Sequence, residues 1–226
     1  MIFGKGVTPT YRDAIEEAIE TILEKGNEGH KESTRALRDS DVNIDFVPLK
    51  EINCSGVAGL VSPRRTNKRI DREELSHHDA LGEVYIKLAD WTFDVAGQRG
   101  CQGTLVHEGL HAFDFARIIS SFANVDIDPL GMIDLSLYEL EHRAAIASGE
   151  YLVIIGEPDF INEGQQLNLV NLDANGKPFV DIEGIKIRMQ NGYGLNENEQ
   201  GVMISNMLGI RPKGEGFSIT KMLGIN

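Results

Sequence analysis

The chain has 226 residues, with 22 Lys and Arg against 35 Asp and Glu, a formal net charge of −13, six His and two Cys. At 41% hydrophobic and 25% charged residues it has the composition of an ordinary globular protein, which excludes disordered, collagenous and coiled-coil classes. The acidic balance argues against nucleic acid and anionic membrane surfaces as partners, since both reward clustered Lys and Arg, and Cys54 and Cys101 are too few for a disulfide framework.

From Tyr11 to Glu24, Ala14, Ala18, Ile19, Ile22 and Leu23 recur at three- and four-residue steps, with Thr10 as N-cap and Gly26 as stop, which predicts an amphipathic helix. A second short helix is expected within the polar stretch 31–41. Asn43 to Val47 alternates and ends at Pro48, predicting a strand, and Gly56 to Pro63 is a second short apolar run bounded by turn residues. Arg64 to Ala80 is charged, lacks a clear period and reads as a surface loop. Glu83 to Leu88 places Val84, Ile86 and Leu88 on one face and Glu83, Tyr85 and Lys87 on the other, a half-solvated strand suited to a sheet edge.

Gly97-Gln98-Arg99-Gly100 reads as a turn, followed by a helix from about Thr104 to Phe122 whose wide apolar arc predicts burial on most sides. Another helix is expected from about Asp134 to Ile155, closed by Gly156 and Pro158. Beyond it, Leu167 to Leu172 and Phe179 to Ile187 alternate across Asp173-Ala174-Asn175-Gly176-Lys177-Pro178, a hairpin pattern. A short helical pattern follows near Gln200 to Leu208, and Met207-Leu208-Gly209-Ile210 recurs once, at Met222 to Ile225, too little for a repeat architecture. No window approaches the roughly 18 apolar residues of a membrane span. The start, Met1 to Val7, lacks the features of a secretory signal, so the expected location is cytoplasmic as synthesised.

The segment that carries chemistry is His107-Glu108-Gly109-Leu110-His111, inside the second long predicted helix. Residues four apart are neighbours on a helix, so both imidazoles can face one metal ion. Glu108, about 100° further round, stays near the ion without ligating it, where a general base for an activated water belongs. Neutral imidazoles favour one Zn2+ ion in a tetrahedral site with one position open.

A third protein ligand is then required. Glu139, in Tyr138-Glu139-Leu140-Glu141-His142-Arg143, is the first candidate because it lies off the Leu140, Ala144, Ala147 stripe. Glu141 is the rival, about 160° away on the helix, so only one of the two can face the metal. Cys101 is set aside, being about 240° from His107 on a helix, and His30, His77 and His78 read as surface residues.

This pattern resembles the zincin metallopeptidases, and within them the glutamate zincins. The resemblance rests on the HExxH segment followed, 139 − 111 = 28 residues after His111, by Glu139 to Ala144, which is similar to the family's glutamate helix. It covers about Thr10 to Ile155 and implies an α+β fold: a zincin-like domain over residues 1–157, with a small sheet, an edge strand, the HExxH helix and the glutamate helix. A C-terminal extension, 158–226, containing a β-hairpin would follow.

The resemblance also implies zinc on His107, His111 and Glu139, Glu108 as general base and proton shuttle, and a peptide or protein substrate. The substrate backbone would add as a strand to the family's edge strand, here Glu83 to Leu88. His111-Ala112-Phe113-Asp114 is similar to a zincin extension in which Asp114 would orient His111; the alternative is an exposed helix residue. Where the family's segment continues with Ala-Asp, this chain has His142-Arg143. Tyr138, His142, Tyr151 and Tyr193 are all chemically able to stabilise an oxyanion, with His142 first because it shares the face of Glu139. The expected function is zinc-dependent peptide hydrolysis. The alternatives are a non-catalytic binding module with a structural zinc, and a self-inhibited, toxin-type peptidase whose extension fills its own cleft.

Overall fold

The computed structural model describes residues 1–156 and 169–215, and they form an α+β arrangement of helices around a small mixed sheet. Thr8 accepts a hydrogen bond from the Tyr11 amide and Pro9 opens the first turn, so helix α1 spans Pro9–Lys25 and buries Ala14, Ile15, Ala18, Ile19 and Ile22. Helix α2 (Glu28–Arg38) starts at an Asn27 capping box in which the His30 side chain is the returning partner.

The sheet holds β1 (Ile2–Phe3), β2 (Asn43–Val47), β3 (Gly56–Leu60) and β4 (Val84–Ala89) in the order β1-β2-β4-β3, with only β3 antiparallel to its neighbour. The expected edge strand, Glu83 to Leu88, is therefore an inner strand, and the edges are β1 and Gly56–Leu60, the latter beside the later long helix over Gly97–Ala123. Alternation reports how one face of a strand is covered, not whether the strand has a neighbour on each side. Tyr85 and Lys87 are half-buried on that face while the strand is flanked on both sides.

A short turn of helix, α3 (Leu49–Ile52), links β2 to β3. The segment expected as a loop, Arg64 to Ala80, contains helices α4 (Pro63–Arg72) and α5 (His77–Leu81). Ser62 and Ser76 cap them, and α4 buries only Thr66 and Ile70, too few apolar positions to register as a period. Helix α6 (Trp91–Asp94) leads into α7, which runs Gly97–Ala123 and so absorbs the residues expected as a turn. Gly97, at φ +63°, makes the corner, while Gly100 is inside the helix because a Cβ there would lie 2.1 Å from the Thr92 carbonyl oxygen. The first glycine serves conformation and the second close packing of α6 on α7.

Helix α8 (Leu137–Ile155) packs along α7 and ends at Gly156 in the left-handed region. The C-terminal hairpin, β5 (Val170–Leu172) with β6 (Pro178–Val180), is antiparallel as expected but shorter. Most of the expected second strand, Phe179 to Ile187, is instead helix α9 (Ile182–Tyr193), capped by Asp181 and burying Gly184, Ile185 and Met189. Helix α10 (Ile204–Leu208) follows.

The main core joins Ile15, Ile44, Ile86, Phe115 and Ile118 to Ile204, Leu208 and Ile210, and a second cluster joins Tyr138, Ala145 and Leu152 to Leu169, Ile185 and Met189. Residues 169–215 are thus built into both apolar clusters. The expected boundary at 157/158 and the Met222 to Ile225 recurrence lie outside the described residues. Among the described residues no helix is long and apolar enough to cross a membrane.

Candidate metal centre

Helix α7 is buried on most sides because α1, α2, α5, α8 and the sheet all pack on it. His107 and His111, one turn apart, converge with their Nε2 atoms 3.1 Å from each other. Across from them on α8, Glu141 places one carboxylate oxygen 3.5 Å from His107 Nε2 and the other 3.5 Å from His111 Nε2. Ligands about 2.0–2.1 Å from a tetrahedral ion lie about 3.4 Å apart. The three donors already stand at that spacing, so His107, His111 and Glu141 can hold a metal ion.

Glu139, the expected third ligand, is not part of this cluster. Its carboxylate turns back to the helix start, where Oε2 accepts from the Ser136 amide at 2.7 Å and the Ser136 hydroxyl at 2.9 Å, while Ser136 accepts from the Glu139 amide. Ser136-Leu137-Tyr138-Glu139 is a capping-box signature legible in the sequence. The criterion that favoured Glu139, distance from the apolar stripe, points outward to solvent. Leu137, Glu141, Ala145 and Ser148, at helical spacing, form the face turned to the cleft.

Glu108 is buried at 6% exposure beside the edge strand. A Cβ at Gly56 would lie 2.6 Å from Glu108 Cγ and 2.7 Å from Thr104 Cγ2, so only glycine lets β3 approach this closely. Burial pushes the Glu108 carboxyl up to about 7, with the Glu141 charge adding to the rise and His107 and the Ala58 amide opposing it. Burial alone would raise Glu141 too, but the two imidazoles hold it well below the usual carboxylate range.

One ion pair fixes α8 against α7, and a second charge on α7 supports it. The Arg143 guanidinium donates to Asp114 Oδ1 at 3.2 Å, with Arg117 Nη1 3.5 Å from the same oxygen. Asp114 is 1% exposed, so it is not an exposed helix residue. Nor is it hydrogen-bonded to His111, whose Nδ1 has no partner among the described residues. His107 Nδ1 lies 3.5 Å from the Ser148 hydroxyl. Arg143 therefore helps to hold the two donor-bearing helices together.

A cleft of about 390 Å³ opens over the cluster, bounded by β3, α7, α8 and the side chains of Arg188, Tyr193 and Met207 from α9 and α10. The Ser55 carbonyl accepts from Ala89 and the Val61 amide donates to Glu83, so odd-numbered residues of this stretch pair with β4. The amides and carbonyls of Gly56 and Ala58 consequently face away from the sheet, along its open edge.

Of the four oxyanion candidates, Tyr193 lines the cleft, and burial together with the nearby Glu141 carboxylate raises its phenol pKa. His142 instead stacks on Tyr138, with ring centroids 5.2 Å apart, and neither lines the cleft. Tyr151 is fully buried and donates to Gln102 Oε1 at 2.9 Å. Cys101 is buried against α1, 3.8 Å from the Ala14 carbonyl oxygen, and burial pushes its thiol up to about 12. His30 is buried, contrary to the surface reading, because its ring nitrogens engage the Asn27 amide and the Ala147 carbonyl. His77 is half-buried against Phe113, and His78 is exposed.

Comparison with known protein families, with curated proteins and with solved structures returns no match for this chain.

Proposed function

We propose that the protein is a zinc-dependent peptidase of zincin type. The observation that carries this reading is the convergence of His107, His111 and Glu141 at ligand spacing beside the buried Glu108, at the floor of a cleft. Two imidazoles and one carboxylate are a donor set that suits zinc, and three donors leave the fourth tetrahedral position for a reacting group. Among the described residues no further His, Cys, Asp or Glu joins the cluster, which favours a catalytic over a closed structural site. The zincin-like fold belongs to the same reading: an antiparallel edge strand beside the HExxH helix and a second helix bearing the glutamate support it.

Zinc, when bound, supplies a Lewis acid that acidifies water and polarises a carbonyl. Glu108 takes a proton from the attacking water at its carboxylate and returns it to the leaving amine, a role that its buried place beside the three donors suits. The Tyr193 hydroxyl, high in pKa and therefore protonated, donates a hydrogen bond to the oxygen that becomes negative. The outward amide of Gly56 and carbonyl of Ala58 pair with an extended substrate backbone and orient the scissile bond, while the Ala58 amide holds the Glu108 carboxylate.

Metal analysis of the purified protein, beside wild type and Glu108→Gln incubated with a peptide library, tests the reading. Bound zinc with cleavage by wild type and not by the variant is expected; no bound zinc, or equal cleavage by both, overturns it.

A further inference from the structure

We propose that Ser148 is a positioning residue for the metal: it accepts the Nδ1–H of His107 and so leaves the Nε2 lone pair for the ion, an inference that rests on the zinc reading above and deepens it. A neutral imidazole ligates through one nitrogen only while its proton sits on the other, and the hydrogen bond made by that other nitrogen sets which is which. In His107 the nitrogen that faces His111 and Glu141 is Nε2. Holding a metal there requires the proton on Nδ1, which stands 3.5 Å from the Ser148 hydroxyl, at the outer edge of hydrogen-bond range.

The hydroxyl determines which of the two groups donates. It has one proton, and the Ala144 carbonyl oxygen, one turn back on α8, is 2.8 Å from Ser148 Oγ, much nearer than His107 Nδ1. A carbonyl oxygen only accepts, so the Ser148 proton goes to Ala144 and the hydroxyl oxygen keeps its lone pairs for the ring. Nδ1 is then the donor. Ser148 and Ala144 are both buried, so water competes little for either group. Glu141 and Ser148 lie 148 − 141 = 7 residues apart on α8, two turns along one face. One helix thus supplies a metal donor and also orients a donor on the helix opposite.

His111 lacks this support. Its Nδ1 is buried without a hydrogen-bond partner among the described residues, and Asp114, three residues on, gives its Oδ1 to Arg143 and Arg117. The site therefore has one ring whose tautomer the fold sets and one whose tautomer it leaves to the metal. Groups that orient a ligating histidine in this way are worth about 10- to 100-fold in metal affinity.

Two measurements on the full-length protein test the assignment. The first is zinc affinity, by competition with a chelator of known strength. Ser148→Ala removes the acceptor without adding bulk and should weaken zinc by about 10- to 100-fold, whereas Ser148→Thr keeps the hydroxyl and should stay within about threefold of wild type. The second is long-range 1H–15N correlation of the metal-free protein at about pH 9, well above the ordinary imidazole value of about 6.5. His107 should carry its proton on Nδ1 in wild type and in Ser148→Thr, and should lose that preference in Ser148→Ala. Equal zinc affinity in wild type and Ser148→Ala overturns the proposal. So does any other form of the His107 ring in metal-free wild type, a result that no folding defect in a variant can imitate. An equal loss of zinc in Ser148→Ala and Ser148→Thr, with the ring unmoved in both, marks a packing role and also overturns it. A wild type that binds no zinc yet holds the proton on Nδ1 would sink the zinc reading and leave the Ser148 contact standing. Tight zinc with no difference between wild type and Ser148→Ala would do the reverse.

Discussion

Among the described residues, two of the places that bury carboxylates beside basic side chains do it in opposite ways. Beside the sheet, Glu83 is 1% exposed and fully satisfied: Oε2 accepts from Arg65 Nε at 3.0 Å and the Thr66 hydroxyl at 2.9 Å, and Oε1 accepts from Arg69 at 2.8 Å and Arg65 at 3.1 Å. Although burial alone would raise its pKa, Arg65, Arg69 and Thr66 together bring it below the usual value. In the cleft, Glu141 Oε2, His111 Nδ1 and the Thr104 hydroxyl are buried without hydrogen-bond partners among the described residues, and Glu108 is pushed up to about 7. A network that only stabilises the fold satisfies every lone pair, whereas donors left open at close spacing keep capacity for something else.

Breaking that contrast should have its largest effect at Glu108. In zinc-loaded protein, Glu108→Gln should lower kcat for peptide cleavage by about 10²- to 10⁴-fold, the usual worth of a general acid-base group, with zinc content unchanged by metal analysis. Glu141→Gln should instead lose zinc at equilibrium dialysis, by about 100-fold or more in affinity, since one of three donors is weakened. Added zinc at 100 times its Kd should raise the stability of wild type by about 2.7 kcal/mol, read as a higher Tm, and should leave the Glu141→Gln Tm nearly unmoved.

At the satisfied cluster the same type of substitution should change stability and not metal content. Removing one partner of a buried pair costs about 3–5 kcal/mol, but Arg65 and Arg69 are 52% and 30% exposed and can rehydrate, which brings Glu83→Gln down to about 1–3 kcal/mol in urea melts. Because the folded-state pKa of Glu83 is lowered, its contribution is present above the unfolded value of about 4.3 and is lost as pH falls through the folded one. Wild type should therefore lose more stability than Glu83→Gln between about pH 5 and lower values. The smallest effect is expected at Glu139, where Glu139→Gln should keep zinc and cost at most about 1 kcal/mol, as a capping change does; zinc loss in this variant would reverse the assignment of Glu139 and Glu141.

The sequence by itself determined that the two histidines share one helix face with Glu108 close by, because HExxH spacing and helical periodicity are local and 3.6 residues per turn leave little freedom. It also held the clue to Glu139, since Ser136 three residues earlier marks a capping box, and to β2, whose alternation and closing Pro48 give its bounds, Asn43–Val47. Tertiary structure alone decided which strands are the edges, because lateral neighbours are long-range pairings that a strand's own alternation does not encode. It also decided that Glu141 faces α7, which depends on how α8 is rotated, a matter settled by Arg143 reaching Asp114 and by the packing of Ala144 and Ala145. Finally, it brought Tyr193 and Arg188 to the cleft from 82 and 77 residues beyond His111, by 193 − 111 and 188 − 111. No local pattern announces such a meeting, since it comes from burying Ile185 and Met189 against α8.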